Sequence, residues 1–217
     1  MDLIILNEGI YQLIPVTSKI LEGISLTSKI ERDYFFVKGK IKIDVDYFIQ
    51  GIEEGIKRED NQNFLTNLMS PMTSYKHFLD DQKFIEMIMP LSDMITKHNF
   101  NEGLPWFLDD AWGFKQEFGN HSTYHDHKPS VVSGTIMLNK HPQKLYFPEI
   151  EEVLEPEAGS FALFTPFLLH GNTRNKTYKP RYGMSFNWNI RSAYLSSDDY
   201  DLRKKLKSLR MKEGEKK

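Results

Sequence analysis

Residues 181–190 read RYGMSFNWNI, and the alternation within them decides the fold. In an extended chain, Arg181, Gly183, Ser185, Asn187 and Asn189 fall on one face, and Tyr182, Met184, Phe186, Trp188 and Ile190 on the other. So bulky an apolar face must be covered, and the helical segments nearer the N-terminus are available to cover it. The polar face then lines a cavity. An arginine there, with Gly183 and Ser185 beside it, leaves room for a ligand carboxylate that a guanidinium grips with two hydrogen bonds. An arginine at the rim, paired with a local acid, fits the same letters.

Upstream of this strand the texture is similar as far back as about Trp106. AWGFKQEF (111–118), SVVSGTIML (130–138), KLYFPEI (144–150) and SFALFTP (160–166) are short, with glycine or proline at their edges. Closely spaced short strands predict a sheet sandwich or barrel rather than βαβ units. The first hundred residues differ. IILNEGIYQLIPV and DYFFVKGKIKIDVD are rich in β-branched and aromatic residues, and KIKID (40–44) alternates as a strand does. Phe48, Ile52 and Ile56 then recur at helical spacing, with Asp44 or Asp46 as caps. A second helix starts at Asp80 or Asp81 and buries Phe84, Met87, Ile88 and Leu91, and Pro90 is expected to kink or divide it.

At 217 residues the chain is read as one domain. Residues 1–105 form an N-terminal α/β support region, 106–195 the β core, and 196–217 a basic C-terminal tail that is solvated and frays. A net charge of -2 gives no electrostatic case for nucleic acid or a membrane surface. The lack of cysteine removes disulfides, thiolate-bound zinc and cysteine nucleophiles from consideration. Asp2 stands where a secretory leader carries a basic residue, and no apolar run approaches the ~20 residues that span a bilayer. The cytoplasm is the expected compartment, with a small-molecule or peptide substrate as partner.

Three of the chain's seven histidines fall in NHSTYHDH, residues 120–127. On a strand, His125 and His127 point to one side and converge on one ion, while Asp126 points away; a bulge would bring Asp126 round instead. His170 follows an apolar run 45 residues later, far enough for intervening strands to return it to the same pocket.

Taken in order, HDHKPSVVSG (125–134), PEAGSFALFTPFLLHGNTRN (156–175) and RYGMSFN (181–187) resemble the 2-oxoglutarate- and Fe(II)-dependent oxygenases. The likeness is to their prolyl-4-hydroxylase-like branch in bacteria and phages, and it covers roughly residues 45–190. It implies a mainly β protein with N-terminal helices buttressing the larger sheet of a double-stranded β-helix, or jelly-roll, core. It also implies Fe(II) on His125, His127 and His170, with 2-oxoglutarate and O2 at the open positions. Arg181 would hold the distal carboxylate of 2-oxoglutarate, helped by Ser185 or Tyr124. The implied reaction hydroxylates a C–H bond and releases succinate and CO2. The chain departs from the pattern twice. His127 replaces the carboxylate usual at the second ligand position, and Gly183 replaces a serine, which is expected to enlarge the pocket. A three-histidine cupin-type dioxygenase without 2-oxoglutarate and a non-catalytic jelly-roll binding protein are the rival readings.

Overall fold

The computed structural model describes residues 3–6, 9–13, 35–58, 67–97 and 106–190. The basic tail therefore lies outside the described residues. Twelve strands and two helices follow one another among those described. β1 (Leu3–Leu6), β2 (Gly9–Leu13) and β3 (Phe36–Lys40) precede α1 (Val45–Ile56), β4 (Leu68–Met69) and α2 (Gln82–Lys97). Then come β5 (Trp106–Gln116), β6 (His121–His125), β7 (Val132–Met137), β8 (Leu145–Phe147), β9 (Glu152–Leu154), β10 (Ser160–Phe164), β11 (His170–Asn172) and β12 (Arg181–Ile190).

The strands form two antiparallel sheets, one in the order β1-β2-β3-β10-β7-β12-β5 and one in the order β4-β6-β11-β8-β9. Consecutive strands from β5 onward often lie in opposite sheets, as in the double-stranded β-helix. Gly159 makes the entry into β10. Its φ of 78° lies in the region glycine tolerates, and the backbone of Ile41 sits where a side chain would be.

β12 occupies its full expected span, and its two faces divide as the alternation predicts. Met184, Phe186 and Trp188 pack in a buried cluster with Phe48 and Ile52 of α1 and Phe84, Ile88, Leu91 and Ile95 of α2. The helices thus cover the outer face of the larger sheet, and Phe84 meets Phe186 edge to face at 5.7 Å. A second cluster, including Phe36, Met137, Phe147, Phe164 and Leu168, fills one end of the space between the sheets.

Two local expectations are corrected. Asp44 caps α1, and the Asp81 carboxylate accepts from the Phe84 amide at 2.8 Å to cap α2; of the two outcomes expected of Pro90, division is overturned, since α2 continues through it to Lys97. Burial of its apolar face outweighs the single hydrogen bond that proline removes. The KIKID segment leaves the sheet after Lys40: the Ile41 amide makes one more in-register bond, to the Gly159 carbonyl at 2.9 Å, and the chain then runs on to Asp44, which caps α1. No helix among the described residues is long and apolar enough to cross a membrane.

Candidate metal centre and its cavity

Between the two sheets lies a cavity open at its mouth, lined by residues of both. His125 is the last residue of β6 and His170 the first of β11, and these strands pair with the two histidines directly opposite one another. His127 lies two residues beyond the end of β6. Its backbone amide donates to the Pro166 carbonyl at 2.6 Å, which carries the chain back over the cavity. The ligand atoms of the three imidazoles all lie within 4.8 Å of one another. Asp126 faces away, and its carboxylate takes the Lys128 ammonium at 2.6 Å.

The hydrogen bonds around the rings fix what they can do. The Nδ1 of His125 lies 2.7 Å from the Thr123 carbonyl, and that of His170 lies 3.0 Å from the Leu168 carbonyl. A carbonyl only accepts, so both Nδ1 atoms carry the proton and both Nε2 atoms present a lone pair. The Nδ1 of His127 is held by Asn187 Oδ1 at 2.9 Å, and its Nε2 lies 3.3 Å from that of His125. Three lone pairs therefore meet with no donor between them. That arrangement suits a cation with nitrogen ligands, and the donor set fits Fe(II). Burial holds all three imidazoles neutral. It pushes His127, with help from neighbouring His125, down to about 4, and His170 well below the usual range. His125 is lowered by the same burial. The pocket therefore resists protonation of its imidazoles to lower pH than water does.

The opposite end of the cavity is built around Arg181, which is 1% exposed. One terminal nitrogen donates to the Gln143 carbonyl at 2.9 Å, and the guanidinium carbon lies 5.5 Å from the centre of the Phe114 ring. Its Nε has no partner, and among the described residues no carboxylate pairs with it. Burial alone pulls it down to about 9, so it remains a cation at neutral pH. A buried charge without a counter-charge is costly, and this one lines a cavity. Ser185 also lines the cavity, its hydroxyl 3.3 Å from that of Thr135.

Tyr124 does not join the site. It is 56% exposed and outside the cavity lining, because β6 turns this ring to solvent. Gly183 does not enlarge the pocket either, since the Phe114 ring fills the space over it. Sequence reasoning missed Thr135, Asn172, Trp112 and Phe114, all of which line the cavity. Trp112 belongs to AWGFKQEF, and its ring lies 5.8 Å from that of His127. Asn172, two residues after His170, accepts the Ser122 amide at 2.8 Å and ties β11 to β6.

No family model and no curated protein sequence matches the chain. Solved structures do match in fold. A viral collagen prolyl hydroxylase from Paramecium bursaria Chlorella virus-1, solved as a 2-oxoglutarate complex, aligns with a TM-score of 0.55 at 14% identity, over 71% of this chain and 94% of that one. A prolyl-4-hydroxylase from Pseudomonas putida aligns at 0.52 and 13% identity, over 72% and 93%. A non-heme α-ketoglutarate-dependent carbocyclase from nogalamycin biosynthesis aligns at 0.54 and 12% identity, over 83% and 92%. At these identities the likeness is one of fold, and the fold is the double-stranded β-helix of these oxygenases.

Proposed function

We propose that the protein is a 2-oxoglutarate- and Fe(II)-dependent dioxygenase that hydroxylates a C–H bond of a peptidyl (including prolyl) or small-molecule substrate. The observation that carries this reading is Arg181: a buried guanidinium without a protein carboxylate, lining the same cavity as three convergent imidazoles.

His125, His127 and His170 would hold the iron. With 2-oxoglutarate and O2, the bound metal supplies the oxidising chemistry that releases succinate and CO2 and hydroxylates the substrate. The protein's part is orientation and shielding. Arg181 binds the distal carboxylate of the cosubstrate, and the Ser185 and Thr135 hydroxyls flank it. Leu68, Trp112 and Phe114 form an apolar wall that keeps water from the cavity. The Trp112 ring meets that of half-exposed Tyr75 edge to face at 5.1 Å, so aromatic surface leads from the protein exterior to His127. Such a wall suits a substrate that presents aliphatic C–H bonds.

The test is succinate formation from 2-oxoglutarate with Fe(II), ascorbate and O2. A three-histidine dioxygenase of the cupin type would consume O2 without needing 2-oxoglutarate, and a binding protein would turn over neither. Arg181 argues against the cupin reading, which gives a buried cation nothing to hold.

A further inference from the structure

The three imidazoles are not oriented in the same way. His125 and His170 each donate from Nδ1 to the carbonyl two residues upstream, so backbone fixes their tautomer and ring direction. His127 lies past the strand end and is fixed by a side chain on the opposite sheet, Asn187 of β12. Asn187 is itself buried, at 6% exposure. Its Oδ1 accepts the Ser133 hydroxyl at 2.8 Å as well as His127 Nδ1, and its Nδ2 donates to Asp110 Oδ2 at 3.3 Å. A carboxylate only accepts, so Asp110 dictates which way round the amide sits. With Nδ2 committed to Asp110, only Oδ1 can face the imidazole, and His127 must carry its proton on Nδ1. The β5–β12 pairing supports this placement. Asn187 stands directly opposite Asp110, and a bulge follows in which the ladder skips Asp109, whose carboxylate takes the Asn189 amide at 2.5 Å.

We propose that Asn187 is the positioning residue of the metal centre, locking His127 as the Nδ1–H tautomer with Nε2 directed at His125 and His170, and that Asp110 in turn locks Asn187. The proposal rests on the metal-centre reading above. It makes one ligand of the three dependent on contact between the two sheets, and it relays the charge of an acid to a ligand set that contains none.

The experiment compares wild type with Asn187→Leu and Asp110→Asn. The tautomer of each histidine is read from ring 15N shifts of the metal-free protein. Affinity is read by titrating Co(II), whose visible spectrum also reports ligand number, and urea midpoints check folding. In wild type, His127 is wholly the Nδ1–H form. Asn187→Leu is expected to move it towards the Nε2–H form and to weaken Co(II) binding 10- to 100-fold, with the shifts of His125 and His170 unchanged. Asp110→Asn frees the amide to turn and gives a smaller shift in the same direction. It carries the test alone if the leucine variant does not fold. Unchanged His127 shifts, in Asn187→Leu where it folds and otherwise in Asp110→Asn, overturn the proposal, as does Co(II) affinity within twofold of wild type in Asn187→Leu. Failure of wild type itself to bind Co(II) sinks the metal-centre reading instead, and the 15N shifts still decide whether Asn187 sets the tautomer.

Discussion

Phe114 and Gly183 stand opposite one another on β5 and β12, and the phenyl ring lies in the space that a side chain at 183 would take. A Cβ on Gly183 would sit 3.0 Å from both Cε atoms of Phe114 and nearer still to its Cζ. The same ring packs over the Arg181 guanidinium. Phe114 therefore closes the floor of the cavity where the related motif has a serine.

The pairing predicts how Gly183→Ser behaves. The ring is 4% exposed and cannot move aside freely, so the substitution overpacks the core and should cost about 1–3 kcal/mol. Phe114→Leu shortens the ring and should recover much of that loss. A double-mutant cycle in urea measures the coupling. Strictly additive effects would show that the two positions do not compete for space.

Arg181→Met should split stability from binding. The arginine gives the ligand-free fold one hydrogen bond to Gln143 and imposes the burial of an unpaired cation. Replacing it by an apolar chain of similar length should raise the urea midpoint of the ligand-free protein. The same change should weaken 2-oxoglutarate binding by about 2–4 kcal/mol, for loss of a charge-assisted contact, while metal binding persists. Calorimetric titration of the metal-loaded protein under anaerobic conditions checks this. Wild-type affinity in the variant would remove Arg181 from the cosubstrate site.

The pH dependence of stability follows from the histidines. His77, His125, His127, His141 and His170 are all lowered, in each case mainly by burial. Above the unfolded value of about 6.5, neither state binds these protons and stability is flat. As pH falls, the unfolded chain takes up protons that the fold refuses. Stability then declines until the folded values are passed, which for His127 is about 4. Each such histidine contributes a slope of up to about 1.4 kcal/mol per pH unit within that window. His141 lies outside the metal cluster. Its Nδ1 accepts the Gln143 amide at 3.0 Å, its Nε2 lies 2.9 Å from the Lys179 carbonyl, and Arg181 and Lys179 oppose its charging. His141→Gln should flatten the slope between pH 6.5 and 5 in urea unfolding of the metal-free protein. An unchanged slope would mean that His141 titrates alike in both states.

Local periodicity carried much of what depends on neighbours in sequence, although it extended the KIKID strand too far and left each cap as a choice between two aspartates. The strand Arg181–Ile190, the caps at Asp44 and Asp81 and the buried face of α2 all follow from spacing of a few residues. Gathering of the three histidines was readable because the resemblance carried it; strand alternation alone did not, since β6 stops at His125 and His127 is brought in by the Pro166 carbonyl. What escaped depends on partners far along the chain. Asn187 meets His127 across 60 residues and Asp110 across 77. Phe114 closes on Gly183 from a strand nearly 70 positions away. Tyr124 lies outside the cavity lining because it adjoins His125 on β6, and adjacent residues of a strand face opposite sides, so its outward position was legible from the same alternation that turns Asp126 away.

Asp126 is engaged by Lys128 on the outer side, and His127 alone of the two points at the other imidazoles. Asp126→Asn should therefore leave metal affinity within a few-fold of wild type, losing only a half-exposed ion pair worth at most ~1 kcal/mol. His127→Ala should abolish stoichiometric metal binding, because two imidazoles retain a divalent ion poorly. His127→Asp is the more informative change. It rebuilds the commoner set of two histidines and a carboxylate, but the shorter side chain reaches less far into the cavity, and its carboxylate would face Asn187 Oδ1, an acceptor, where His127 Nδ1 donated. Partial retention is expected, with Asn187 forced to turn and give up Asp110. Adding Asp110→Asn to His127→Asp should then recover affinity, since the amide no longer has a charge to hold it. Metal content after anaerobic reconstitution measures all four proteins. Metal lost in Asp126→Asn and kept in His127→Ala would reverse the assignment and place the aspartate, not the histidine, on the ion.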